Sequence, residues 1–85
     1  MCAAMGHVRR RVIVSGKVQG VWFREKCRRE SHLAGVLGWV RNRSDGTVEA
    51  VFEGDQSAVS RLVQWCRHGP PRAEVSAVEV TDEPP

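Results

Sequence analysis

No stretch of this chain approaches the roughly 20 apolar residues of a membrane-spanning helix, and the N-terminus runs from Met1 through His7 and Val8 directly into Arg9-Arg10-Arg11. The apolar core of a signal peptide is missing too, so the sequence predicts neither insertion into a membrane nor export by that route. The three cysteines, Cys2, Cys27 and Cys66, include no CxxC pair. An odd count at unrelated spacings indicates neither a disulfide framework nor a tetrahedral zinc site, and a reducing, cytoplasmic setting fits best. Tyrosine does not occur and aromatics make up 6% of the chain, which leaves little for a surface that stacks bases. Neither GxxxxGK[ST] nor GxGxxG is found, so nucleotide binding through those loops is excluded.

What is there suits one small domain. Across 85 residues the composition is 41% hydrophobic and 27% charged, and a second folding unit would leave each half too short to bury a core. A chain of this size buries only roughly 60–65% of its unfolded surface, leaving room for one layer of packing and one site. The domain is expected to span residues 1–85, with a core from about residue 8 to 81. A net charge of +3 hides a strong asymmetry: residues 1–43 hold ten Lys/Arg against Glu25 and Glu30, while residues 44–85 hold three against eight acids. The first half is thus +8 and the second −5, which points to an anionic partner without choosing its kind.

Hydrophobic periodicity orders the chain. Val12, Ile13 and Val14 predict a strand over 8–15. Gly16 to Gly20 reads as a turn, and 22–34 as a helix with Phe23, Cys27, Leu33 and Ala34 near one face and Gly35 as its stop. Two strands, 36–41 and 47–53, flank the hairpin chemistry of Asp45-Gly46, and the second alternates with Val48, Ala50 and Phe52 on one face. Asp55 caps a helix whose Ala58, Val59, Leu62, Val63 and Cys66 recur at helical spacing until His68-Gly69-Pro70-Pro71. A last strand over 73–81 changes its apolar parity between Ala77 and Val78, as a bulge or a strand buried on both faces would explain. Strand, helix, strand, strand, helix, strand predicts an α+β, ferredoxin-like βαββαβ sandwich: a four-stranded antiparallel sheet with two helices on one face.

Two segments can carry chemistry. Gly16-Lys17-Val18-Gln19-Gly20-Val21-Trp22-Phe23-Arg24 leaves a strand, turns through two glycines and enters a helix. Backbone N–H groups at such a junction, aided by the helix dipole, suit a phosphate-sized anion, and Arg24 in the first turn can grip two phosphate oxygens with its fork. The same residues also read as a glycine turn followed by a solvated helix arginine. Gly38-Trp39-Val40-Arg41-Asn42 then ends a strand at the hairpin, where Asn42 either satisfies local backbone groups or orients a water through its amide.

Together the segments resemble the paired signatures of the acylphosphatase family, GxVQGVxFR followed by G-aromatic-V-[Lys/Arg]-N-xxx-G-x-V, and every defined position is met. The resemblance implies hydrolysis of a carboxyl–phosphate mixed anhydride without a metal or other cofactor. It implies Arg24 as the phosphate-binding arginine, Asn42 as the residue that positions the attacking water, and the backbone of Lys17, Val18, Gln19, Gly20, Val21 and Trp22 as the phosphate cradle. The implied partner is a small acyl phosphate, with no nucleic acid and no membrane, and the chain is expected to act as a monomer. Two other readings stand beside it: an RNA-binding module of the same fold, and a catalytically silent phosphate sensor like the acylphosphatase-like domains within hydrogenase-maturation proteins. The RNA reading lacks the interleaved aromatic motif K/R-G-F/Y-G/A-F-V-x-F/Y. Of the remaining residues, His7, His32 and His68 are expected at the surface or at caps, Trp39, Trp65, Cys27 and Cys66 in packing, and Arg9 to Arg11 as a solvated strand end. Trp22 can shield the site or meet the acyl group.

Overall fold

A computed structural model describes residues 6–85, so Cys2 and the other four N-terminal residues lie outside the described residues. The elements follow the predicted order: β1 (His7–Lys17), α1 (Phe23–Leu33), β2 (Leu37–Asn42), β3 (Val48–Asp55), α2 (Gln56–Cys66) and β4 (Glu74–Glu83). The strands form one sheet in the order β2-β3-β1-β4 with every neighbouring pair antiparallel. Both helices cover one face and enclose the core, where Val12 and Val14 of β1 and Val48, Ala50 and Phe52 of β3 meet Phe23 and Cys27 of α1 and Val59, Leu62 and Cys66 of α2. This is the ferredoxin-like α+β sandwich.

Local chemistry explains the helix limits. The Asp55 carboxylate accepts the Ser57 backbone N–H at 3.1 Å and so satisfies one orphan donor at the start of α2. At the end of α1, Gly35 takes a φ of 71°. Its N–H reaches the His32 carbonyl at 3.1 Å while the Val36 N–H reaches Ser31 at 3.0 Å, a Schellman closure that only a residue free to go left-handed forms cheaply. On the other side of that turn Leu33 is 71% exposed and falls off the apolar face on which periodicity put it. The helix rotates Phe23 and Cys27 inward, and the closure leaves Leu33 on the outside.

The strands depart from expectation at three places. β1 extends through Gly16 and Lys17, so the turn begins later than the glycine implied. The β1–β4 register jumps between Ser15 opposite Ala77 and Gly16 opposite Val75, which makes Ser76 the extra residue of a bulge. That bulge, one residue earlier than the parity change suggested, lets Val75 and Val78 both pack on the core. Gly16 has a φ of 117° there, and a Cβ would lie 2.2 Å from the Glu74 carbonyl oxygen. β3 is buried on both faces, because Glu49 and Val51, on the side away from the helices, are also covered.

The two faces of the sheet also correct two expectations of surface and core. Arg9, Arg10 and Arg11 are not a solvated end: Arg9 binds Glu53 at 3.0 Å and Glu83 at 3.1 Å, Arg10 binds Asp82 at 3.0 Å, and Arg11 binds Glu49 at 2.7 Å. The basic strand β1 lies between the acidic strands β3 and β4, so pairing neutralises this strand's share of the charge asymmetry. Trp39 is not core packing. It is 45% exposed on the outer face of β2, with the Arg41 guanidinium 5.5 Å from its ring. Trp65 does pack, edge-on to Phe23 with ring centroids 5.2 Å apart.

Candidate active site

The loop between β1 and α1 is pinned by two buried valines, Val18 and Val21, and shaped by two left-handed residues. Gly20 has a φ of 76° and Trp22 one of 69°; Trp22 is the one non-glycine residue with positive φ among the described residues. Signs of φ that alternate in this way turn successive N–H groups toward one side of the chain. Trp22 also serves as N-cap of α1 without any side-chain cap, and the first helical bond runs from the Lys26 N–H to the Trp22 carbonyl at 2.9 Å. The N–H groups of the first turn therefore point free at the cleft, with the positive end of the helix dipole behind them. Among the described residues, no turn, loop or cap bond uses an N–H of Gln19 to Trp22 as donor.

The opposite wall comes from the β2–β3 hairpin. Asn42, the last residue of β2, stands opposite Val48, whose side chain faces the helices, so Asn42 is delivered to the helix side of the sheet. Tight local bonds hold the hairpin: Arg43 N–H to Thr47 O at 2.9 Å, Gly46 N–H to Arg43 O at 3.2 Å, and Thr47 N–H to the Asp45 carboxylate at 3.0 Å. The Thr47 hydroxyl and N–H hold the Asp45 carboxyl below its usual range, so it stays ionised in the turn.

Loop and hairpin are then tied together by one side chain. The Gln19 amide N–H₂ donates to the Arg43 carbonyl at 2.7 Å and to the Thr47 carbonyl at 2.9 Å. A cleft of about 290 Å³ opens between the two parts, lined by Val18, Gly20, Trp22, Phe23, Arg24, Glu25 and Asn42. Of the residues singled out in the sequence, Arg24, Asn42, Val18, Gly20 and Trp22 meet at this cleft. Lys17 instead ends β1 opposite Glu74, Gln19 turns its side chain into the hairpin, and the Val21 side chain is core. Sequence reasoning missed the Gln19 tie and Glu25 at the rim. Nothing in a lone glutamine between a valine and a glycine signals which carbonyls it will reach.

An exposed guanidinium, a bank of unused N–H donors and a primary amide around one small cleft can hold a tetrahedral oxyanion and orient a water beside it. Comparison with known proteins agrees with that chemistry. The family model of the acylphosphatases matches residues 10–85. An acylphosphatase of Pelotomaculum thermopropionicum is 59% identical over 76 residues, which cover 89% of this chain and 83% of that one. One from Gloeobacter violaceus is 56% identical over 78 residues, covering 92% and 84%. The solved structure of an acylphosphatase from Coxiella burnetii superposes with a TM-score of 0.89 at 40% identity, over 95% of this chain and 85% of that one.

Proposed function

The chain belongs to the acylphosphatase family and hydrolyses the carboxyl–phosphate bond of small acyl phosphates, and from that premise we propose how its residues divide the work. Arg24 and the backbone N–H groups from Lys17 to Trp22 hold the phosphoryl oxygens; Asn42 holds the attacking water in line with the bond that breaks. The observation that carries this reading is the convergence of Arg24, Asn42 and the uncapped loop–helix junction on one cleft of about 290 Å³.

The chemistry asks little more. The water oxygen attacks phosphorus, the bond from phosphorus to the acyl oxygen breaks with its electron pair leaving on the carboxylate, and a water proton moves to a phosphate oxygen. The products are a carboxylate and inorganic phosphate. Because the conjugate acid of the leaving group has a pKa of about 4, departure needs no general acid, and the loose transition state asks mainly for positioning and charge stabilisation. We therefore assign no step to a metal or to a histidine. His7 is engaged by Glu53 at 2.9 Å, and neither His32 nor His68 lines this cleft.

The same reading takes the chain as one domain over residues 1–85 that acts as a monomer in the cytoplasm and does not bind nucleic acid. Two observations support it: Cys27 and Cys66 are free thiols, and the sheet face on which an RNA-binding relative would stack bases is tiled with ion pairs. The deciding assay is hydrolysis of acetyl phosphate in excess chelator. Arg24→Ala should lose turnover together with competitive inhibition by inorganic phosphate, whereas Asn42→Ala should keep the inhibition and lose turnover by roughly 100-fold or more. Full kcat in Asn42→Ala, or wild-type turnover that vanishes with the chelator, would overturn the division of roles.

A further inference from the structure

A second, larger cleft of about 590 Å³ lies along the same edge of the molecule, between the outer half of α1 and the edge strand β2. Arg28, Arg29 and His32 line it together with Leu33, Val36 and Val40. Its features are unusual for a solvated helix face. Leu33 is 71% exposed, and among the described residues neither Arg28 nor Arg29 takes part in an ion pair, whereas Arg9, Arg10, Arg11 and Arg41 each engage an acid of β3 or β4. An exposed apolar side chain and a valine floor beside unpaired guanidinium groups in a concavity match a ligand that is apolar along its length and anionic at its end.

The two clefts adjoin at α1. Glu25 lines both, and α1 runs antiparallel to β2, so that Arg24 and Asn42 stand at one end of the groove and His32 and Leu37 at the other. At 1.5 Å of rise per residue, Arg28 and Arg29 lie about 6–8 Å along the helix from Arg24. Glu25 sits between the two positive stations, and its carboxylate repels an anionic group placed at its own level. A ligand threaded along the groove is thus uncharged beside Glu25 and charged beyond it.

We propose that this groove is a subsite for the acyl moiety of the substrate, and that it selects acyl phosphates carrying a second anionic group, such as a carboxylate, several carbons from the carboxyl–phosphate bond. The proposal rests on the phosphate site being the Arg24–Asn42 cleft. Binding energy gathered at Arg28 and Arg29 is remote from the reacting bond, so it lowers KM and does not touch the leaving-group chemistry.

The test is a comparison of chain-matched substrates. Glutaryl phosphate ends in a carboxylate, pentanoyl phosphate is uncharged at the same length, and acetyl phosphate reports the phosphate site alone. For the wild type, kcat/KM should be roughly tenfold or more higher for glutaryl than for pentanoyl phosphate at low salt, and most of that preference should vanish in 0.5 M NaCl. In the Arg28→Gln/Arg29→Gln double variant the ratio should fall to near one, with thermal unfolding confirming that the variant is folded. Equal kcat/KM for the two longer substrates in the wild type, or a preference that survives the double substitution, overturns the proposal. Failure to hydrolyse even acetyl phosphate is a different result, which strikes at the site assigned above and not at the groove.

Discussion

Glu49 is 2% exposed in the middle of the open sheet face, with the Arg11 and Arg41 guanidinium groups each 2.7 Å from its carboxylate. Replacing it with glutamine keeps the shape and removes the charge. A hydrogen bond to a charged group contributes about 1.5–3 kcal/mol and a neutral one about 0.5–1.5, so two bonds together lose about 2–3 kcal/mol. Arg11 and Arg41 are 47% and 63% exposed, and water takes over part of their loss, which brings the expected destabilisation to about 2 kcal/mol. For a domain of this size that is a drop of roughly 8–16 °C in Tm at pH 7.

The pH dependence gives the sharper check. Burial alone would push the Glu49 carboxyl up, but the hydrogen bonds and charges of Arg41 and Arg11 more than offset it and hold the group below its usual 4.5. A carboxyl whose folded pKa is depressed contributes stability that is fully present above the unfolded value and fades as pH falls through the folded one. The wild type should therefore lose its advantage over Glu49→Gln below about pH 4.5. Glu53 and Asp55 are held low as well, the first by His7 and Arg9 and the second by Ser57, yet they are common to both proteins and cancel in the difference. Thermal unfolding followed by circular dichroism at pH 7 and pH 2.5 decides the matter. A gap under about 2 °C at pH 7, or one of equal size at both pH values, refutes the ion-pair account.

Three further outcomes are expected. Gly38→Ala should lower stability by at least about 3 kcal/mol, because a Cβ there would lie 1.7 Å from the Val51 carbonyl oxygen, whereas Gly46→Ala, with open space at its tip, should lose only about 1 kcal/mol; urea unfolding separates the two. In a Cys2→Ser background the folded protein should show no thiol reactive toward a disulfide reagent and two after denaturation, since Cys27 and Cys66 are buried and the neighbouring Cys27 and burial both raise the Cys66 thiol. Gln19→Leu should reduce kcat on acetyl phosphate about tenfold even 20 °C below its own Tm, where every molecule is folded; unchanged kcat there would show that the tie between loop and hairpin is dispensable.

Periodicity and punctuation were enough for the element order, since Asp55, Gly35 and Asp45-Gly46 each act through contacts within a few residues of themselves. The two motifs named the side chains that line the small cleft for a related reason: each is a local junction, strand to helix or strand to turn. What could not be read depends on partners far away in the chain. The sequence predicted a solvated end at Arg9 to Arg11 because their acids stand 38 to 74 positions later. Val51 and Glu49 break the alternation of β3 because neighbouring strands cover the outer face, and Trp39 reads as core because aromatic character says nothing about which side of an edge strand faces water. The site is legible as a list of residues and illegible as a geometry, which the Gln19 contacts illustrate.

Those contacts also set the order in which the molecule comes to life. Gln19 reaches carbonyls 24 and 28 positions away, and the two sides of the cleft belong to strands that are not neighbours in the sheet. A chain that has formed only its first strand and helix has the glycine loop but nothing to hold it against Asn42. Such non-local closures are the slow part of forming a sheet of this topology. Regain of turnover during refolding therefore reports the docking of the β2–β3 hairpin against β1, and helical signal measured in the same experiment runs ahead of it.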